Sequence, residues 1–109
     1  MKAKEASSPM SKVLVIDDES SIRKLLNISL TYKGYEVIIA EDGEQGIELF
    51  QRERPPIVLT DMKMPGVDGI EVLSRIKEIN PEAEVIVITG HGDMDMAVRS
   101  LQLLSLIHI

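Results

Sequence analysis

Asp17 and Asp18 close the apolar run Val13–Ile16, Asp61 closes the run 57–60, and Thr89 closes the run 85–88. Adjacent carboxylates repel one another and resist leaving water. Two unit charges ~4 Å apart repel by roughly 4 kcal/mol at an effective dielectric of about 20. If the runs are parallel strands and the first and third are neighbours, the three acids crowd into one pocket. A hard divalent cation with oxygen ligands offsets that repulsion. Mg²⁺ fits best, because one or two carboxylates hold it together with waters and phosphate oxygens. Taken singly, each acid has a plainer use. Asp17 and Asp18 suit the N-cap and first turn of a following helix, and Asp61 suits the opening of a loop before Met64-Pro65-Gly66. Taken jointly, two strands ending on aspartate and another on threonine favour a site for a metal and a phosphoryl group.

The elements that must position these residues follow from hydrophobic period and turn residues. Val13–Ile16 is too short for a helix and is mostly β-branched. Ile22, Leu25, Leu26 and Leu30 then fall on one helical face, and Gly34 stops that helix. Residues 35–40 predict a second strand. A second helix follows with Ile47, Leu49 and Phe50 inward, broken by Pro55-Pro56. Gly46 inside it costs about 1 kcal/mol relative to alanine. Residues 57–60 predict the third strand, and Ile70, Leu73, Ile76 and Ile79, with Val72 beside them, mark the third helix. Residues 85–89 predict a fourth strand. Asp93 is the expected N-cap of a fourth helix that begins with Met94, Ala97, Val98 and Leu101. Strands alternate with helices through short connections. That pattern predicts an α/β fold: a doubly wound parallel sheet with right-handed crossovers and helices on both faces. Continuous apolar strands agree with burial on both sides. In such a sheet the carboxyl ends of the strands share one edge, where ligands bind.

The chain has 109 residues, enough for one domain, and 12 Lys+Arg against 18 Asp+Glu leave a net charge of −6. This balance argues against nucleic acid as a partner, which needs a basic footprint, and against an anionic membrane surface. The absence of cysteine excludes disulfide and thiolate chemistry. No apolar run approaches a bilayer span, and residues 1–11 lack the apolar middle of a secretory signal. Cytoplasmic location and a mobile tail over 1–11 are the expectations. At the other end the chain closes on apolar residues where a doubly wound sheet ordinarily continues. One back-translation of LSLIHI reproduces a transposon-end adaptor used to tag DNA. Leu104–Ile109 are therefore expected to be read-through, with the native domain covering 12–103 and cut inside the fourth helix.

The motifs VLVIDDE, IVLTDMKMPGVDG and VIVITGHGD, in this order and spacing, resemble the response-regulator receiver domain of two-component signalling. The likeness runs from Lys12 to Leu103. It implies a flavodoxin-like (βα)5 fold of which four βα units are present. It implies that Asp61 takes a phosphoryl group from a phosphohistidine on a sensor histidine kinase, forming an acyl phosphate. Asp18 and Asp61 are then Mg²⁺ ligands with the backbone carbonyl of Lys63, and Asp17 reaches the ion through a bound water. Thr89 is the phosphoryl-binding switch residue. The family also carries a lysine and an aromatic residue on a fifth strand, and neither is found in this chain. Poor stability and poor signalling are the expectation for the chain as it stands. Receivers of this family occur alone, before an output domain such as a DNA-binding or ATPase domain, and within hybrid kinases, and all three arrangements are open for the full-length protein.

Other residues invite chemistry and have plainer readings. His91 and His108 are lone histidines, Met94 and Met96 suit helix packing or surface, and the second glycine of GEQG falls inside a helix rather than in a phosphate loop. The Lys63 side chain is expected in solvent. A rival function is a small Mg²⁺-dependent aspartyl phosphatase. Such enzymes place a second carboxylate two residues after the nucleophile, where this chain has Lys63. A third reading is a phosphorylation-incompetent interaction module.

Overall fold

Val13, Leu14, Val15 and Ile16 have no more than 1% of their surface exposed, as residues of a strand covered on both faces must. They belong to β1, Lys12–Ile16, in a computed structural model that describes residues 12–88 together with Val98 and Arg99. The chain continues through α1 (Ser20–Tyr32), β2 (Glu36–Ala40), α2 (Gly43–Glu53), β3 (Ile57–Asp61), α3 (Gly69–Ile79) and β4 (Glu84–Ile88). The four strands form one parallel sheet in the order β2-β1-β3-β4. The order reverses direction between β1 and β3, and crevices at such switch points are where open α/β sheets bind ligands. Each expected strand and each of the first three helices is found, with ends that differ by a residue or so. The expected tail over 1–11, Thr89, His91, the start of the fourth helix at Met94 and the segment Leu104–Ile109 lie outside the described residues.

Side chains alternate across the sheet and divide the core in two. Leu14, Ile16 and Val58 pack with Ile47 and Phe50 of α2 and with Val72 and Ile76 of α3. Val13, Val15, Ile57 and Leu59 pack on the other face with Leu26 and Leu30 of α1, and Val98 leans on the same cluster. β1 and β3 lie inside the sheet and are sealed, whereas β2 and β4 flank them and are mostly half-buried.

Two expected inward residues face water. Leu25 is 51% exposed and Ile70 is 49% exposed. In α1 the sheet takes Leu26 and Leu30, with Ile22 at the margin, and the rotation that buries these turns Leu25 outward. In α3 the sheet takes Val72 and Ile76, which leaves Leu73 and Ile79 at the flanks and Ile70 beyond them. An apolar stripe fixes the side of a helix to within one residue position, and the contact with the sheet decides the remainder.

Gly46 has a packing reason. A Cβ there would press on Cδ1 of Ile16 and lie 2.7 Å from its Cγ1, and Ile16 is itself fully buried. The helix crosses β1 this closely because the residue is glycine. Gly46→Ala is therefore expected to destabilise the fold by roughly 1–2 kcal/mol, overpacking outweighing the gain in helix propensity. Adding Ile16→Val, which removes Cδ1 and leaves Cγ1, should recover part of that loss. A denaturant-melt double-mutant cycle checks the coupling, and additive effects would refute it.

Candidate functional site: a carboxylate cluster at the strand ends

β1 and β3 pair in parallel with Ile16 opposite Thr60. One residue further along this register brings Asp17 beside Asp61. Asp18 follows in the turn to α1. The carboxylates of Asp17, Asp18 and Asp61 can each offer an oxygen such that all three lie within 4.8 Å of one another. Asp17 is 4% exposed, Asp61 is half-buried and Asp18 is open to solvent. The sheet thus builds a graded pocket whose floor is Asp17 and whose mouth is Asp18.

Local hydrogen bonds explain why these acids are not merely helix caps. The cap position of α1 is Glu19, and its side chain makes no capping bond. Asp17 Oδ1 instead accepts from the Glu19 N–H at 2.9 Å, an Asx-type turn that swings the chain from strand into helix. The Asp17 N–H donates to the Ala40 carbonyl of β2 at 3.2 Å. Asp42 and Asp68 show what real caps look like. Each accepts from the backbone N–H three residues on, at 2.9 Å, from Gln45 and Glu71 respectively.

The electrostatics follow from crowding in a half-dry place. Burial pushes the Asp17 carboxyl above its ordinary value. The Glu19 amide opposes that shift, and the charges of Asp61, Asp18 and Glu19 reinforce it. Burial also raises the Asp61 carboxyl, followed by the charge of Asp18, while the backbone amides of Lys63 and Met62 pull the other way. Both groups would ionise more readily beside a cation. Three oxygen donors of this hardness, close together and short of positive charge, suit Mg²⁺ rather than a soft metal. The cluster is capable of coordinating a divalent metal.

Lys63 lies in the loop after β3 with its side chain exposed, as expected. That loop, with Met62, Met64, Pro65, Asp68 and Ile70, lines a shallow depression beside the cluster. Thr89, expected in the same site, lies outside the described residues. Two contributors escaped the reading of the sequence. Arg23 donates from Nη1 to the Asp17 carbonyl at 2.8 Å. Its signal is faint: a cation one turn into the helix that follows the acidic pair. Gly69 is the second. Its N–H donates to the Met62 carbonyl at 2.8 Å, and the Met62 N–H donates to the Ile88 carbonyl at 2.9 Å. The residue after Asp61 is therefore clamped from both sides. A Cβ on Gly69 would press on the Asp61 carbonyl oxygen and lie 2.8 Å from Met62 Cα. These are backbone atoms and cannot swing aside. Gly69→Ala is expected to destabilise the fold by roughly 2–3 kcal/mol and to weaken Mg²⁺ binding by displacing Asp61. Thermal melts with and without Mg²⁺ measure both effects, and a melting temperature equal to the parent's would refute the close approach.

A parallel sheet in the order 2-1-3-4, with a carboxylate trio across its switch point, defines a doubly wound α/β domain with a candidate divalent-metal site. The profile of the response regulator receiver domain matches residues 13–105, and the chain belongs to that family. It is 43% identical over 97 residues to the sporulation initiation phosphotransferase F of Bacillus subtilis, which covers 89% of this chain and 78% of that protein. It is 39% identical over 90 residues to the DNA-binding transcriptional regulator NtrC of Escherichia coli, covering 83% of this chain and 19% of that protein. Among solved structures, a response regulator receiver domain protein from Clostridium thermocellum superposes with a TM-score of 0.72 at 40% identity, over 84% of this chain and 75% of that one. The chain thus spans most of the sporulation protein and about a fifth of NtrC. It is a signalling receiver domain rather than a free-standing catalytic enzyme. Among the described residues no helix is long and apolar enough to cross a membrane.

Proposed function

We propose that this chain accepts a phosphoryl group on Asp61 from a phosphohistidine of a sensor histidine kinase in the cytoplasm. The observation that carries the proposal is the meeting of the Asp17, Asp18 and Asp61 carboxylates across the β1–β3 switch point. A carboxylate oxygen of Asp61 forms the new O–P bond as the P–N bond to the donor imidazole breaks. The bonding pair returns to the imidazole nitrogen, and Asp61 is left as an acyl phosphate. Bound Mg²⁺ supplies positive charge that offsets the phosphoryl oxygens and the carboxylates together. Asp18 and Asp61 would hold it through their carboxylates, and the Lys63 carbonyl would be a further ligand. The burial of Asp17 and its bond to Glu19 suit contact with the ion through a water. Thr89 is assigned to a phosphoryl oxygen. The receiver domain occupies 12–103.

Radiolabelled acetyl phosphate tests this reading. With Mg²⁺ present, one label per chain is expected. It should be stable to acid, labile to alkali, absent after chelation of the metal and located on Asp61 by peptide mapping. Label on another residue would overturn the assignment. Steady turnover of an unrelated phosphomonoester would favour the aspartyl phosphatase instead.

A further inference from the structure

Asp17 is tied down at its N–H, its carbonyl and one carboxylate oxygen. The first partner is the Ala40 carbonyl at 3.2 Å, and the last is the Glu19 N–H at 2.9 Å. Both belong to the ordinary course of strand and turn. The carbonyl's partner is different: the Arg23 guanidinium, six residues on, at 2.8 Å. That carbonyl is half of the peptide joining Asp17 to Asp18. A peptide is planar, so fixing the direction of its C=O fixes its N–H and the Cα that follows. The place of the Asp18 Cα, from which its side chain leaves, is fixed with them, and only the rotations φ and χ1 of Asp18 remain between the anchored peptide and the carboxylate. Arg23 is half-buried and lines a groove with Asp18, Glu41 and Asp42 at the mouth of the site. Its planar fork, with several donors on a delocalised cation, suits such an anchor better than a flexible ammonium.

The structure assigns Arg23 the role of a positioning residue for metal uptake: through the Asp17 carbonyl it holds the Asp17–Asp18 peptide, and with it the Cα that carries the Asp18 carboxylate, where a divalent cation can be reached with the fewest rotations left to fix. The inference rests on the Mg²⁺ site proposed above. It competes with a simpler effect of opposite sign. A positive charge beside the cluster repels an incoming cation, so if charge alone mattered, removing Arg23 would tighten Mg²⁺ binding. An anchor acts the other way, since losing an outer partner of a ligand costs metal affinity.

Titration calorimetry with Mg²⁺ on the parent chain, Arg23→Met and Arg23→Lys separates these effects. Each protein is measured well below its own melting temperature. Arg23→Met is expected to weaken binding by about tenfold. Arg23→Lys, which keeps a donor, is expected to fall between Met and the parent. The metal-free proteins give a second readout, the ¹⁵N resonance of the Asp18 amide, which belongs to the anchored peptide. It should move in Arg23→Met and return part of the way in Arg23→Lys. A purely global loss of stability would lower the melting temperature and leave both readouts unchanged. Equal or tighter binding by Arg23→Met, with uptake by the parent intact, overturns the role of Arg23. No uptake by the parent overturns the metal site itself. If Arg23→Met fails to fold, the parent spectrum decides. Slowly exchanging Arg23 guanidinium protons coupled to the Asp17 carbonyl are expected, and a freely rotating guanidinium overturns the anchor.

Discussion

Asp61→Asn is expected to take up no phosphoryl label at all and, without metal, to unfold at a higher temperature than the parent. The two effects share one cause. The Asp61 carboxylate carries its charge in a half-buried position beside Asp18, and both burial and that neighbouring charge raise its pKa. The same charge makes it a nucleophile toward phosphorus. An amide of nearly the same shape has neither property. It forms no acyl phosphate, and it adds no repulsion to the remaining acids. Its carbonyl oxygen can still accept from the backbone amides that support the carboxylate. The stability gain is modest because solvent screens a group this open. About 1 kcal/mol is reasonable, which for a domain of this size is roughly 4–8 °C. Label incorporation and a thermal melt without Mg²⁺ measure the pair. Retained label would place the acceptor elsewhere, and a lower melting temperature would show that Asp61 is not an electrostatic burden.

The second large effect is a stabilisation by Mg²⁺ that grows with pH. Asp17 and Asp61 have folded-state pKa values above their ordinary one, so the native chain holds protons that the unfolded chain has released. Stability from these groups is therefore fully present below the ordinary carboxylate pKa. It is lost as pH rises through the raised values. Above the raised values both are ionised and the metal-free fold carries the whole repulsion. A divalent cation binds the ionised forms, so its contribution is greatest there and fades in acid, where protons compete for the same oxygens. Saturation at a hundred times the dissociation constant adds about 2.7 kcal/mol, or roughly 10–20 °C in melting temperature. Melts from pH 4 to 8, with Mg²⁺ and with chelator, should form two curves that converge at the acid end. Parallel curves would mean that the ion binds away from Asp17 and Asp61. Asp17→Asn should flatten the metal-free curve, since Asp17 is the more deeply buried of the two.

The order of elements was legible along the chain because strands and helices announce themselves locally. Val13–Ile16 has no helical period, while Ile22, Leu26 and Leu30 have one, and Pro55-Pro56 punctuates the boundary. The acids were legible too, since a carboxylate at the end of an apolar strand has few inexpensive explanations. That Asp17 and Asp61 meet was conditional. It required β1 and β3 to be neighbours, and neighbourhood in a sheet is a relation between distant segments on which no local pattern reports. Only the pairing of Ile16 with Thr60 decided it. The same limit applies to Leu25 and Ile70, whose apolar character put them on the expected stripe although the sheet left them in water. It applies to Gly46, unfavourable by helix propensity and required by the closeness of Ile16. It applies most to Arg23, whose bond to the Asp17 carbonyl depends on how α1 leaves the turn. Hydrophobic period and strand-end acids are encoded residue by residue, so the sequence alone determined the class of fold and the candidate donors. Distances between donors are properties of packing, so the tertiary structure alone decided that these acids make one site and which residues hold it in shape.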